Sequence, residues 1–314
     1  MRPVIAILEN IHPDGIAAMR EFATIVDLTT APVEECRQCL GTADAVVVKS
    51  VTQVNAAFLD AAKNLKVVAR CGTGMDNIDV EAAGARGISV FNIPKGNSRS
   101  AAEFTLLMIL CVAKRLPEAI EAVRNSDFRR HLLEGREISQ LTIGIIGLGN
   151  VGFRVALLLK PFGCRLLALD PKSAYSDRLE EAQVTLCSDI DALLSESDIV
   201  TLHMSLNNDV RHILDAARLA RMKRGAALVN CARAELVDQA ALISALDAGH
   251  LSAVALDLLE PEPPYGAMPE EHEFRHALLG RKDVLVTPHM AASTIDAQRT
   301  LALETAHRLR EYLS

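Results

Sequence analysis

The sequence lacks long runs of any single residue type. No apolar run approaches the roughly 18 residues that a membrane span needs, and the N-terminal apolar run ends at Glu9, well short of a signal-peptide core. Lys and Arg form no block, and the formal net charge is −7. Nucleic-acid binding needs concentrated positive surface, so we expect a soluble protein with neither a nucleic-acid nor a membrane partner.

Metal-binding or disulfide patterns are equally sparse. Seven cysteines, an odd number in a chain of 314 residues, fit a reducing cytoplasm better than a disulfide framework. Cys36 and Cys39 have a redox or metal spacing but no second pair, and we interpret them as side chains of a helix. His272 and His276 have helical spacing, but their acidic neighbours favour an exposed charged helix. We therefore expect no metal site.

The length suggests two domains, at about 150 residues each. Short β-rich runs alternate with helical runs in the first ninety residues, which predicts a parallel sheet covered on both faces. The predicted strands are Val4–Leu8, Ile25–Leu28, Ala45–Val48, Val67–Arg70 and Ser89–Asn92, and the predicted helices are Pro13–Arg20, Val33–Leu40, Ala56–Ala61 and Val80–Ala85.

The rest of the chain continues the alternation after a long helical run, Ser98–Arg115. Its predicted strands are Ile143–Ile146, Arg165–Leu169, Ile199–His203, Ala227–Asn230, Val254–Leu258 and Val284–Val286, and its predicted helices are Val151–Leu159, Asp189–Glu196, Asp238–Ala248 and Ser293–Leu313. Ser293 is the expected N-cap of the last helix, with Asp296 at the capping-box position. We expect this helix to return to the first domain, giving a domain of residues 1–97 and 287–314 around a second domain of residues 98–286.

A glycine-rich turn stands out in the second domain. The stretch Thr142-Ile-Gly-Ile-Ile-Gly-Leu-Gly-Asn-Val-Gly152 runs from a strand through Gly147, Gly149 and Gly152 into a helix, and the next strand ends in Asp170. Gly147 would allow a tight turn, Gly149 the approach of a pyrophosphate, and Gly152 close packing of helix and strand. An acidic residue after the second strand can bind a ribose diol. This context favours a dinucleotide site over an ordinary glycine-rich turn.

Three polar residues follow strands or lie in turns of the second domain: Arg233, Glu262 and His289. An Arg can hold a carboxylate bidentately, a His can shuttle a proton near neutral pH, and a nearby Glu favours the protonated His. Taken singly, each residue type is more often structural than catalytic. Their positions at the edge of the sheet where ligands bind raise the expectation of a site.

In these motifs the sequence resembles the D-isomer-specific 2-hydroxyacid dehydrogenases, most closely their 3-phosphoglycerate dehydrogenase branch. The resemblance extends over nearly the whole chain, in Val67–Asp79, Gly96–Glu103, Gly147–Asp170, Val229–Arg233 with Val237-Asp238, Ala255–Asp257 with Glu262-Pro263, and Pro288-His289 with Ala292–Thr294 and Ala297-Gln298. It implies two doubly wound parallel-sheet domains of the α/β class, with a Rossmann nucleotide-binding domain inserted into a flavodoxin-like substrate domain. It also implies a homodimer formed through the nucleotide domain, with the Ser98–Arg115 helix as a plausible contact. Because the chain stops 25 residues after His289, we expect a short form without a regulatory domain.

The resemblance also implies roles for single residues. Arg233 would clamp the substrate carboxylate, His289 would be the acid/base, and Glu262 its partner. The cofactor, NAD, would lie against Thr73, Gly147, Gly149, Asn150, Val151, Gly152, Asp170, His203, Ser205, Cys231, Ala232, Asp257 and Ala291. The substrate would meet backbone N–H groups of Gly72-Thr73-Gly74, with Lys49 and Arg70 as candidates for a distal phosphate or other anion.

Several alternatives stay open at this stage. Ala234-Glu235 replaces the usual glycine pair after the catalytic Arg, Ser205 replaces a usual Pro, and the loop from residue 264 to 281 is longer than expected. A glyoxylate or hydroxypyruvate reductase would not need the distal cations. Lys172, close to Asp170, keeps NADP open. A protein that senses NAD(H) as a binding module or corepressor could retain the same triad.

Overall fold

The computed structural model describes residues 2–32, 39–170, 176–264 and 267–314. The chain folds into two compact units: unit 1 is Met1–Arg99 with Ser293–Ser314, and unit 2 is Ser100–Ala292. The sequence places the changes of domain at 97/98 and 286/287, whereas the units change over at 99/100, inside a helix, and at 292/293.

All strands that pair in the two sheets are parallel. They are β1 Val4–Ile7, β2 Thr24–Asp27, β3 Ala45–Val48, β4 Val67–Arg70 and β5 Ser89–Asn92 in unit 1, and β6 Thr142–Ile146, β7 Arg165–Leu169, β8 Thr185–Leu186, β9 Ile199–Leu202, β10 Ala226–Asn230, β11 Leu251–Leu256 and β12 Val284–Val286 in unit 2.

The described α-helices are α1 Pro13–Arg20, α2 Ala56–Ala61, α3 Val80–Ala85, α4 Ser98–Ala113, α5 Leu116–Arg124, α6 Asn150–Leu159, α7 Ser176–Ala182, α8 Ile190–Glu196, α9 Ala216–Arg221, α10 Gln239–Asp247 and α11 Ile295–Leu313.

The strand orders confirm the predicted fold class. The sheet of unit 1 has the order β2-β1-β3-β4-β5, the flavodoxin-like doubly wound arrangement. The sheet of unit 2 has the order β12-β11-β10-β9-β6-β7-β8. Counted from β6, this is the Rossmann order with one further strand. Both orders reverse next to the first strand of the unit, and ligands bind such sheets at that switch point.

Apolar residues cover both faces of each sheet. In unit 1, one core cluster contains Ile5, Met19 and Leu309, and the other contains Val46, Leu59 and Val68. Unit 2 has a corresponding pair of clusters, which lie on the α4/α6 face and on the α8/α10 face. Burial of both faces explains why the strands are continuous apolar runs.

Several helices begin at a residue whose side chain caps the first turn. The side chains of Asn55, Asp79, Asp189, Asp215, Asp238 and Thr294 each accept a hydrogen bond from a backbone N–H three residues later. These short side chains satisfy N–H groups that have no partner within the helix. Asp189 and Asp238, predicted as first helical residues, are therefore caps.

Other predictions need correction. Thr294 is the N-cap of α11, one residue after the predicted Ser293, so Asp296 is not at the capping-box position. Residues 272–276 are irregular, so His272 and His276 do not lie on a helix. The predicted run Ser98–Arg115 ends at Ala113, because Arg115 adopts a left-handed conformation (φ 53°) and α5 follows. Helices α5, α7 and α9 and strand β8 are not among the predicted elements.

The predicted helix Val33–Leu40, and with it Cys36, lies mostly outside the described residues, as does Lys172. Among the described residues, no helix is both long and apolar enough to cross a membrane.

Candidate active site

The glycine turn lies at the switch point of unit 2, between the ends of β6 and β9. Gly147 has φ +96°, a left-handed conformation, and a Cβ there would meet the carbonyl of His203. A Cβ on Gly152 would overlap the carbonyl oxygen of Gly147. Open space surrounds the Cβ position of Gly149, which caps α6 without a side chain. The turn therefore packs tightly on the protein side and leaves room at the start of α6.

Two side chains hold the turn from the end of β7 and from α7. Asp170 Oδ2 accepts a hydrogen bond from Leu148 N (2.6 Å), and Arg178 Nη1 donates one to Leu148 O (2.9 Å). The Arg178 guanidinium also lies over the Phe153 ring, 5.1 Å from its centroid. Sequence reasoning missed Arg178, because α7 itself was not predicted and a lone Arg carries no motif.

His203 lies on the other side of the switch point. Its N–H donates to Ile146 O (2.8 Å), and its Nε2 is 3.0 Å from Thr201 Oγ1. Desolvation by the surrounding protein lowers the pKa of His203 to about 3. This imidazole is therefore neutral at physiological pH and cannot supply a positive charge. Ser205, two residues further on, is exposed.

The segment after β10 carries the candidate carboxylate clamp. Buried Asn230 accepts a hydrogen bond from Ala232 N (3.0 Å) and donates one to Arg233 O (2.7 Å), so it shapes this turn. Arg233 is partly buried, and its Nη1 donates to Ala232 O (2.7 Å). Burial, reinforced by Asp257, raises the pKa of the Cys231 thiol to about 12, so Cys231 is not a nucleophile.

Asp257, fully buried after β11, organises the segment that contains His289. Its carboxylate accepts hydrogen bonds from Thr287 Oγ1 (2.5 Å), Met290 N (2.9 Å) and Ala291 N (2.8 Å), and its carbonyl accepts one from His289 N (2.8 Å). The sequence analysis expected Asp257 and Ala291 beside the cofactor. The hydrogen bond between them holds this segment, and their contact with the cofactor stays a prediction.

His289 and Glu262 meet in unit 2. His289 Nδ1 is 3.7 Å from Glu262 Oε1, an ion-pair distance when the imidazole is protonated. His289 adopts φ +54°, a left-handed conformation that is uncommon for a residue with a side chain. Asp257 holds the segment on both sides of this strained residue. Backbone strain that neighbouring contacts maintain is frequent at functional sites.

The other candidate residues lie in unit 1, where Gly72-Thr73-Gly74 follows β4. The Arg70 guanidinium lies so close to Gly72 that a Cβ there would overlap it. The Thr73 hydroxyl is 2.7 Å from Asn97 Oδ1, and Asn92 Nδ2 donates to Thr73 O (2.5 Å). The turn is thus held by side chains, and the buried Arg70 lies directly beside it.

Lys49 lies at the switch point of unit 1, after β3. Its ammonium donates to Gln298 Oε1 (2.9 Å), and its backbone N–H donates to Glu9 Oε1 (2.8 Å). Lys49 thus follows β3 and Arg70 ends the neighbouring strand β4, which places two cations at one edge of this sheet. Gln298, on α11, belongs to one of the family motifs, but its contact with Lys49 is not among the predictions.

The histidines outside the triad have other contacts. His276 Nε2 lies 3.2 Å from Glu260 O, and His272 Nδ1 accepts a hydrogen bond from Phe274 N. Within the described parts of the chain, no group of three or more His, Cys, Asp or Glu side chains could hold a metal ion.

The switch-point residues of unit 2 fit a dinucleotide. The N-terminus of α6 faces open space at Gly149, and its N–H groups and helix dipole favour an anion such as a pyrophosphate. Asp170, at the end of β7, suits a ribose diol. Residues 106–291 match the sequence model of the D-isomer specific 2-hydroxyacid dehydrogenase, NAD binding domain. Unit 2 therefore contains the NAD-binding domain of that family.

Known proteins of similar sequence cover nearly all of this chain. It is 36% identical to D-3-phosphoglycerate dehydrogenase of Methanocaldococcus jannaschii over 98% of this chain and 57% of that protein. It is 36% identical to hydroxypyruvate reductase of Thermotoga maritima over 88% of this chain and 87% of that protein. The chain thus spans a little over half the length of the phosphoglycerate dehydrogenases that it matches.

A solved structure supports the same relationship. The D-lactate dehydrogenase of Aquifex aeolicus, complexed with NAD and lactic acid, superposes with a TM-score of 0.87 at 27% identity, over 98% of this chain and 95% of that one. The family match extends over more than half of the chain, and it agrees with the strand order of both sheets. This chain belongs to the D-isomer specific 2-hydroxyacid dehydrogenase family.

Proposed function

We propose that the protein is an NAD-dependent oxidoreductase that acts on C2 of a 2-hydroxy or 2-oxo acid. The observation that carries this proposal is the 3.7 Å approach of His289 to Glu262, on a segment held by Asp257, in a chain of this family. NAD(H), when bound, donates or accepts the hydride at C2.

The chain's own residues would handle the substrate and the proton. In the reducing direction, protonated His289 gives its proton to the carbonyl oxygen of the 2-oxo acid, and ionised Glu262 favours that protonated form. Arg233 holds the carboxylate with its planar pair of N–H donors. In the oxidising direction, neutral His289 takes the hydroxyl proton.

A panel of 2-oxo acids, followed by NADH absorbance at 340 nm, tests this function. We expect His289→Ala to lower kcat by about 10²–10⁴-fold, the usual contribution of an acid/base, with the Kd for NADH nearly unchanged. His307→Ala, on the exposed face of α11, is the matched control. Tight NADH binding by the wild type without turnover of any 2-oxo acid would favour an NAD(H)-sensing binding protein instead.

We further propose a substrate with a distal anion, such as 3-phosphoglycerate. The two cations at the edge of the unit 1 sheet, Lys49 and buried Arg70, support this choice. Arg70→Ala should raise the KM for a phosphorylated substrate by tenfold or more, as expected for loss of about 1.4 kcal/mol of binding, and leave the KM for glyoxylate unchanged. Equal KM values in wild type and variant would point to a glyoxylate or hydroxypyruvate reductase.

Asp170 is the residue that we expect to select NAD over NADP, because its carboxylate repels a 2′-phosphate. Asp170→Asn keeps an oxygen for Leu148 N–H but removes the charge. The preference for NADH over NADPH should therefore fall at least severalfold while the fold is retained. An unchanged preference would mean that residues other than Asp170 discriminate between NADH and NADPH.

Unit 2 has an apolar surface that supports the expected homodimer. Its members are 44–73% exposed and lie on α4, α5 and the segment that follows: Leu107, Leu116, Ile120, Val123, Phe128 and Leu132. Leu116, Ile120 and Val123 share one face of α5 by their helical spacing. We propose that a second copy of the chain covers this face, since grouped exposed apolar side chains mark interaction sites. Size-exclusion chromatography with light scattering should give a dimer for the wild type and a monomer for Ile120→Glu. If Ile120→Glu remained a dimer, the interface would have to lie on another surface.

We place this activity in the cytoplasm. Six cysteines of the described regions are free thiols, as a reducing compartment would keep them.

A further inference from the structure

Glu262 is mostly exposed, yet it lies within ion-pair distance of His289. Its side chain is 56% exposed, so its own packing does not explain how the carboxylate is kept in place. Glu262 lies six residues after β11, between Pro261 and Pro263. Two residues before it, Glu260 is held by contacts from two other segments.

The first contact holds the Glu260 side chain. Arg211 Nη2 donates a hydrogen bond to Glu260 Oε1, and His212 Nε2 lies 3.7 Å from Glu260 Oε2. Both basic residues belong to the segment between β9 and α9. His212 has φ +50°, and its N–H donates to Glu235 O (2.7 Å). The hydrogen bond to Glu235 thus stabilises the left-handed backbone of His212, and the His212 ring lies beside the Glu260 carboxylate.

The second contact holds the Glu260 carbonyl. His276 Nε2 is 3.2 Å from Glu260 O, and Leu278 N–H donates to His276 Nδ1 (3.2 Å). An Nδ1 that accepts a hydrogen bond carries no proton, so Nε2 is the ring nitrogen that donates to the carbonyl. Phe274 stacks on the imidazole with centroids 6.3 Å apart. The segment of residues 267–281 thus braces the turn.

We propose that Glu260 is a positioning residue that sets Glu262 against His289. Arg211 holds its carboxylate and His276 its carbonyl, and the proline on each side of Glu262 restricts the backbone between the two acids. The titratable groups around the turn are Arg211 and His212 before α9, His276 before β12, and His289 after β12. This inference rests on the proposed function, in which Glu262 favours protonated His289.

Glu260→Gln tests the inference, because it keeps the size of the side chain and removes its charge. With hydroxypyruvate and NADH we expect kcat to fall roughly tenfold, since acid catalysis contributes about 10²–10⁴-fold in total. The pH at which kcat/KM declines should move down by about 0.5–1 unit, because the carboxylate of Glu262 would face protonated His289 less closely. The Kd for NADH should stay within twofold.

Three further variants separate positioning from general damage. Arg211→Met should reproduce the effect of Glu260→Gln, and Arg211→Lys should restore most of the wild-type pH profile. Glu270→Gln removes an exposed carboxylate from the bracing segment and is the matched control. A lower melting temperature with an unchanged pH profile would make Glu260 merely structural and overturn the inference.

A second readout does not depend on turnover. The imidazole of His289, assigned with the His289→Ala variant, can be titrated by NMR in the wild type and in Glu260→Gln. We expect a lower titration midpoint in the variant, and equal midpoints would refute the positioning role. If His289→Ala abolishes turnover while Glu260→Gln leaves the midpoint unchanged, the proposed function stands and only the positioning role fails.

Discussion

The two units have the same kind of doubly wound sheet but treat its switch point in opposite ways. In unit 1, Glu9 follows the first strand and fills the crevice next to it: its carboxylate accepts N–H bonds from Lys49, Val51 and Thr52 at 2.8–3.1 Å. In unit 2, Gly147 follows the first strand and has no side chain. One crevice is occupied by the protein's own carboxylate, and the other is left for an anionic ligand.

The opposite ends of the two sheets are built alike. Asp44 precedes β3 and accepts a hydrogen bond from the N–H of Val4 (2.9 Å), the first residue of β1. Asp198 precedes β9 and accepts one from the N–H of Thr142 (2.8 Å), the first residue of β6. Each aspartate also pairs with basic side chains. The two sheets therefore differ at their carboxyl edges, where ligands bind. At their amino edges, an aspartate stabilises the first strand of each sheet in the same way.

The largest expected effect comes from displacing the turn that borders the open crevice of unit 2. Gly152→Ala adds a Cβ that overlaps the carbonyl of Gly147, so the turn must move. We expect the Kd for NADH, measured by fluorescence titration, to rise about 10–100-fold, since overpacking of this kind costs about 1–3 kcal/mol.

Gly84→Ala in α3 of unit 1 is the matched control, because nothing lies within 4 Å of the new Cβ. It should leave NADH binding unchanged and stabilise unit 1 by about 0.5–1 kcal/mol. Normal NADH affinity in Gly152→Ala would contradict the close approach described for this turn.

A smaller effect is expected when the closed crevice loses its charge. Burial alone would raise the pKa of Glu9 and is the largest single influence on it, but the bonds from Thr52, Lys49 and Val51 together lower it. Glu9→Gln replaces one acceptor oxygen with an NH₂ group. Urea unfolding at pH 7 should show a loss of about 1.5–3 kcal/mol, the range for hydrogen bonds to charged groups.

Glu21→Gln removes a carboxylate that is 68% exposed and pairs with Arg310 in the same unit. It should cost no more than about 1 kcal/mol, and neither substitution should alter the Kd for NADH. If Glu9→Gln weakened NADH binding as strongly as Gly152→Ala, the contrast between the two switch points would be wrong.

The smallest effect concerns the aspartates that the units share. Desolvation is the largest influence on the pKa of Asp44 and of Asp198 and raises it, yet the hydrogen bonds and basic neighbours outweigh it, so both values are lowered. A carboxylate with a lowered pKa stabilises the fold at pH values above its unfolded pKa of about 3.9. That stability is lost as the pH falls through the folded value.

The free energy of unfolding of the wild type should therefore fall as the pH is lowered from about 5 to 3. We expect this fall to be smaller by about 1 kcal/mol in Asp44→Asn or Asp198→Asn. Chemical denaturation across this range measures it. Identical pH curves for wild type and variants would show that these aspartates do not contribute to the pH dependence of stability.

Sequence patterns located five strands to the residue and five more to within one residue, because burial on both faces leaves a short apolar run bounded by polar residues. Ala45–Val48, Val67–Arg70 and Arg165–Leu169 are examples. The patterns failed for α5 and α7, which are short, and α7 is also largely polar. They also missed the break at Arg115, since a left-handed residue before Pro117 leaves no trace in the hydrophobic period.

The candidate site was only partly visible in the sequence. Arg233, Glu262 and His289 could be selected because each follows a strand and belongs to a motif. The bonds of Asp257 to Thr287, Met290 and Ala291 join residues that are 30–34 positions apart. They could not be predicted, because they depend on β11 and β12 lying side by side. The contacts of Glu260 with Arg211 and His276 depend on loop conformations in the same way.

The sequence by itself determined the α/β class, the glycine turn with Asp170, and the family. These properties depend on local patterns: apolar runs, glycines at set intervals, and single polar residues after strands. Only the tertiary structure decided that Glu9 closes one crevice, that Arg178 holds Leu148, and that His276 supports the turn of Glu262. Each of these depends on the geometry of segments distant in the chain, which packing sets and local sequence does not encode.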